Sequence, residues 1–214
     1  PAGATYPGAG GSTSASGSHV GTGGVEGSAA KAGTYGSVTR PREAGSGSWG
    51  NAGESGGGVV RIEAGALVFG GPTAKVVANG NGSGSRWSAG AGGSIWVTTG
   101  ALSGDGLIEA AGGKSYYRNA GGGAVAIEYV TAAGTVLSRA NAAGGGGGNA
   151  TDNGGAGTVV LKGSGQTYGT LRVDNRGTVG QATVLPSLGS GTAQGGTGGA
   201  TLVTDRAVAI PGYF

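Results

Sequence analysis

Asp105 and Glu109 share one repeat, in Ser103-Gly104-Asp105-Gly106-Leu107-Ile108-Glu109, with Trp96, Tyr116 and Tyr117 nearby in sequence. Two carboxylates roughly 5–10 Å apart beside aromatic platforms would suit cleavage of a glycosidic bond. The local sequence favours a plainer role. Ser-Gly-Asp-Gly reads as a turn, and Glu109 alternates outward on a short strand pattern. A catalytic pair would also need a cleft that perturbs its carboxyls. The sole histidine, His19, lies in Gly17-Ser18-His19-Val20-Gly21 with no neighbouring carboxylate to position it for nucleophilic catalysis. A structural or surface role is expected for it. No catalytic residue is assigned, and the chain is not expected to be an enzyme.

Binding chemistry is better represented. Trp87, Trp96, Tyr116, Tyr117 and Tyr168 could stack on sugar rings or on a partner surface. Trp87, Trp96, Tyr116 and Tyr117 are the candidate ligand-binding residues, with packing between repeats as the alternative use of their area. Asn149, Asp152 and Asn153 form the best local oxygen cluster for a calcium ion. No nonapeptide calcium repeat accompanies them, and a turn accounts for the same residues. Calcium is therefore the one candidate ion in a chain for which no cofactor is expected. The glycine clusters are not phosphate loops, since none reads G-x-x-x-x-G-K-[ST] or opens a helix.

What positions these residues is a repeating grammar. Four apolar strands each follow a glycine cluster: Val59–Glu63, Ser94–Thr98, Val125–Tyr129 and Thr158–Lys162. Taking Ile62, Val97, Ile127 and Leu161 as equivalent gives spacings of 35, 30 and 34 residues, in the range of solenoids and related arrays. Each strand alternates, which puts one face in a core and the other in water. A second strand is predicted in each unit, over Ala74–Ala78, Leu107–Ala110, Thr135–Ser138 and Thr170–Val173. Small or amide residues and then glycine follow, as corners require. Asn79–Gly93 and Gly144–Gly157 read as glycine-rich loops on one side of the stack.

Three regions result. Residues 1–57 are a glycine-rich N-terminal segment packed on the repeats, with Tyr6, Tyr35 and Trp49 as anchors. Residues 58–177 are the repeats. Residues 178–214 are a connector and closing strands, which cap the stack or exchange with a neighbour. Leu202, Val203, Val208 and Ile210 in that tail are the candidate self-association residues, by strand addition to an open edge.

Composition limits the partners. Glycine is 56 of 214 residues without a collagen period. Regular stacking with dense backbone hydrogen bonding is needed to offset the entropy that so much glycine loses. The net charge is only +3 and the basic residues are scattered, so no nucleic-acid footprint is expected. No apolar run approaches the length of a membrane span. Cysteine and methionine are both absent, which suits a long-lived extracellular protein. The chain begins at Pro1, and a processed product or a fragment is expected.

The fold expected is all-β: a parallel β-helix or solenoid with long glycine-rich loops, or alternatively a β-sandwich with polyglycine II-like segments. GSHVGTGG (17–24), GGGVVRIEAGAL (56–67), GAGGSIWVTTGALSGDGLIEAAGG (90–113), GGGAVAIEY (121–129) and GAGTVVLKG (155–163) together resemble glycine-rich repeat regions of very large secreted or cell-surface bacterial proteins. The resemblance implies an extracellular β-solenoid-like module of a larger protein and no defined reaction. The function expected is a structural scaffold, matrix or filament module. Its partners are copies of itself or the rest of a larger parent chain. A glycan- or surface-binding adhesin is the alternative, and a polysaccharide-active enzyme comes last.

Overall fold

The computed structural model describes residues 15–48, 54–82 and 87–184. Tyr6, Trp49 and the tail residues Leu202, Val203, Val208 and Ile210 lie outside them. Among the described residues the structure is all-β, with one helical turn. The elements are β1 (Val59–Phe69), β2 (Lys75–Val77), β3 (Ser94–Gly104), β4 (Leu107–Glu109), β5 (Ala124–Ala133), α1 (Val136–Arg139), β6 (Thr158–Gly163) and β7 (Thr170–Arg172).

β1, β3, β5 and β6 pair in parallel, in that order, and β7 closes the sheet antiparallel on β6. Ile62, Val97, Ile127 and Leu161 stand in one row across it. β2 and β4 form a second, two-stranded parallel sheet. Alternation along the strands sends Ile95, Val97, Val125, Ile127 and Val159 inward, where they meet Phe69, Leu102, Ile108 and Val136. Each such side chain, fully buried, contributes about 1.5–3 kcal/mol. Glu63, Thr98 and Glu128 occupy the intervening outward row.

Two predicted second strands take other forms. Thr135–Ser138 is not a strand, because Val136–Arg139 coil into a helical turn. Register explains this. Six residues run from Ser103 to Glu109, but eight run from their partners Ala133 to Asn141. A helix rises 1.5 Å per residue against about 3.3 Å in a strand, so one turn absorbs the surplus and drops Val136 into the core. Asp105 steadies the turn, its Oδ1 accepting from Thr135 N–H at 3.0 Å and from the Thr135 hydroxyl at 2.9 Å. Thr170–Val173 does not extend the small sheet either. Gly163–Gln166 makes a tight turn (Gln166 N–H to Gly163 O, 3.0 Å), and Thr170–Arg172 folds back on β6.

The glycine runs are hydrogen-bonded, so residues 79–82, 88–93, 144–145 and 153–157, read from the sequence as loops, are not open ones. Gly121, Gly122 and Gly123 donate in succession to Gly17 O (3.0 Å), Gly155 O (3.0 Å) and Ala110 O (2.8 Å). Ala91, Gly92 and Gly93 likewise donate to Ser46 O, Gly121 O and Ala78 O. A β-strand sends successive N–H groups to two sides. A chain with three residues per turn sends them to three. Segments around residues 15–25, 45–48, 54–58, 78–82, 88–93, 110–113, 118–123, 142–145 and 153–157 are cross-linked by backbone hydrogen bonds. The approach is so close that a Cβ on Gly121 would overlap Gly21 O. Residues 15–25, 45–48 and 54–57 are thus laced into the same network as the strands.

Candidate functional site

Turns that interrupt the glycine segments meet at one place. After Val25, the Glu26–Ala29 turn leaves the network (Ala29 N–H to Glu26 O, 3.0 Å), and Val25 N–H reaches Thr151 O at 3.0 Å. Arg118 joins the remaining turns. Its backbone N–H and Nε both donate to Trp87 O, at 3.2 and 3.1 Å, and its Nη1 lies 3.5 Å from Glu26 Oε2. The Arg118 side chain is buried while that of Glu26 is largely exposed. The Ser16 hydroxyl donates to Arg118 O at 2.6 Å. Next to it, Asn119 N–H reaches Asp152 O at 2.8 Å, and its side-chain oxygen accepts from Ser115 N–H at 2.9 Å. One residue pair, Arg118-Asn119, therefore ties the turns at 26, 87, 115 and 152 together.

On this base stand three aromatic rings. Trp87 and Tyr117 stack with centroids 4.6 Å apart and planes at 19°. Tyr116 meets Tyr117 edge-on at 4.5 Å. All three remain exposed, at 62%, 45% and 67% for Trp87, Tyr117 and Tyr116. Aromatic area left in water on a bonded base, with the ring positions set by mutual contact, is available for stacking against the C–H face of a sugar or an apolar edge of a protein. Lys114, Asn149 and Thr151 add exposed polar groups along the same turns.

The sequence candidates divide accordingly. Trp87, Tyr116 and Tyr117 come together. Trp96 does not join them: it is half-buried on β3. Arg61 lies over its ring at 3.5 Å and Arg42 at 5.2 Å, and its Nε1 donates to Glu128 at 3.1 Å. Those cations occupy the surface that a sugar would need. Tyr168 is exposed on the β6–β7 connection. Asn149, Asp152 and Asn153 make a turn, with Asp152 and Asn153 N–H both donating to Asn149 O at 3.0 Å. The Asn153 side chain is buried, and its oxygen takes Gly147 N–H, Gly148 N–H and Asn119 Nδ2, while its nitrogen reaches Gly148 O and Val179 O. That oxygen is committed to holding the turn beneath the aromatic rings. Among the described residues no three His, Cys, Asp or Glu side chains cluster as a metal site would require. None of their helices is long and apolar enough to cross a membrane.

Both carboxylates raised as catalytic candidates are bound to the framework. Asp105 holds the start of α1. Glu109 accepts from Asn79 Nδ2 at 2.7 Å and Asn141 Nδ2 at 2.8 Å, linking the segments at residues 79, 109 and 141. His19 is fully buried, which corrects the surface option for it. Its Nδ1 lies 3.0 Å from Gly92 O, and the Tyr35 ring is 4.8 Å away.

The chain matches no known protein family, no curated protein and no solved structure. Sequence reasoning missed Arg118 and Asn119, because their work is done on backbone groups far away in sequence. The run Tyr116-Tyr117-Arg118-Asn119, the densest cluster of large side chains in a glycine-rich stretch, is the only signal that pointed there.

Proposed function

We propose that this chain is an extracellular binding module in which a rigid stack presents the Trp87–Tyr117–Tyr116 cluster to a glycan on a surface. The stack is a short parallel β-helix-like array, laminated on one side by polyglycine II-like segments. The exposed, mutually stacked rings are the single observation that carries this reading. Large aromatics left in water belong to interfaces more often than chance allows. The lamination has a purpose in this scheme: turns rooted in a bonded backbone network lose little entropy when a ligand orders them. An extracellular setting agrees with the absence of cysteine and methionine and with the resemblance to secreted repeat regions. No reaction is assigned, since Asp105 and Glu109 serve the framework.

A glycan array probed with the whole chain tests the proposal. Trp87→Ala and Tyr117→Ala should each weaken retention by about tenfold, the cost of one well-packed aromatic contact. Trp96→Ala should retain binding, because that ring is already covered. Retention that ignores Trp87 and Tyr117, or no retention on any glycan, would sink the reading. Rods or filaments in electron micrographs of a protein that binds no glycan would favour the pure scaffold instead.

A further inference from the structure

The two edges of the large sheet differ. β7 closes one with three antiparallel residues. β1 stands at the other with eleven residues and, among the described residues, a strand on one side only. At about 3.3 Å per residue that edge is about 36 Å long. Soluble proteins blunt such edges with charged side chains, lysine above all, with proline or with a bulge. Val59–Phe69 has no lysine or proline, its two charges, Arg61 and Glu63, are of opposite sign, and its register with β3 keeps one offset from Val59 to Phe69, so there is no bulge. Val59 is 47% exposed. An edge of this kind is built to be covered.

We propose that β1 pairs antiparallel with β1 of a second copy, about a two-fold axis through Ile62. The charges select this occupant and this register. Centring on Ile62 sets Arg61 opposite the partner's Glu63, and Glu63 opposite the partner's Arg61. Arg61 and Glu63 already bond to each other within one chain, so the dimer joins two such pairs into an alternating square of four charges. Cross-strand pairs of opposite sign favour a register, and like pairs oppose it. Centring on Arg61 or on Glu63 would place like charges face to face. Centring on Ala64 would set Arg61 against Leu67 and Glu63 against Gly65, leaving every charge unpaired. Pairing stops beyond Val59, because Gly57 O already accepts from Gly45 N–H at 2.8 Å. A two-fold contact also closes on itself, whereas β1 stacking on β7 of the next copy would offer three residues and run on into a fibre. The proposal does not depend on glycan binding at the aromatic cluster.

Sedimentation of the full chain reads the outcome. The wild type should be a dimer in the micromolar range. Arg61→Glu and Glu63→Arg should each weaken the dimer at least about tenfold, because each sets like charges opposite one another. Mixed together, the two variants should form a heterodimer, since every opposed pair is then of opposite sign. Circular dichroism establishes that each variant is folded. Where one is not, Val59→Lys, at an exposed edge position, should give a monomer in its place. Removing residues 200–214 should leave the dimer intact. A monomeric wild type, charge variants that still dimerise, or a mixture that fails to associate would overturn the proposal. A dimer that survives the charge variants and disappears with the tail would assign assembly to Leu202–Ile210 instead.

Discussion

Gly121→Ala is expected to lower folding stability by about 3 kcal/mol or more, a large fraction of what holds an ordinary domain folded. The added methyl would overlap the carbonyl of Gly21, and the next nearest atoms are also backbone, from Gly21 and Thr22. A side chain in that position could rotate away, but a hydrogen-bonded backbone cannot. The Gly21 segment is held by its own bond to Gly122 O at 2.9 Å, and Gly121 itself donates to Gly17 O. Moving either chain therefore breaks bonds on both. Gly58→Ala is the matched control. A Cβ there meets nothing within 4 Å, so the change should be neutral or stabilising by about 0.5 kcal/mol through the unfolded chain. Urea unfolding of the two variants measures the difference. Equal midpoints would mean that the glycine segments are not packed as described.

Acid should destabilise the protein through His19. Burial is the main cause that lowers its pKa from 6.5 to about 4, with the Gly92 carbonyl and the charge of Glu43 opposing the shift in part. Nε2 has no hydrogen-bond partner. It faces the Cα of Gly36, close enough that a Cβ there would come within 2.6 Å. A proton on Nε2 would thus be buried without an acceptor. In the unfolded chain the same ring titrates near 6.5. Between these two values the unfolded state holds more protons, so stability is complete above pH 6.5 and is lost as the pH falls toward 4. The loss amounts to about 3 kcal/mol. His19→Asn keeps a donor for Gly92 O and removes the titration. Subtracting its urea stability from that of the wild type at pH 4, 5, 6 and 7 isolates the contribution from that of the carboxylates. A difference that does not change with pH would contradict the account.

These two sites also mark where sequence reasoning succeeds and fails. The row Ile62, Val97, Ile127 and Leu161 was legible because apolar side chains repeat at a near-constant spacing and alternate with polar ones. The glycine network was legible only as an alternative, polyglycine II-like segments, with no pairing between them. Its order lies in which N–H group points to which neighbour, and glycine carries no side chain to record that direction. The same blankness made Gly17–Gly21 read as a place where His19 could lie at the surface. The helical turn at Val136–Arg139 follows from two surplus residues, which become visible only when Asn141 is paired with Glu109. Trp87 and Trp96 are alike by type. They separate because Trp96 carries Arg61 and Arg42 over its ring, whereas Trp87 stacks on Tyr117.

The central claim is that the glycine runs form a cooperative, hydrogen-bonded layer that holds the aromatic turns. Amide hydrogen exchange tests it most directly. The N–H groups of Gly21, Gly92, Gly121, Gly122 and Gly155, all outside the strands, should exchange as slowly as those of Val97 and Ile127 in the centre of the sheet. Exchange of these glycine amides at the rate of an open loop, while the strand amides stay protected, would contradict the claim.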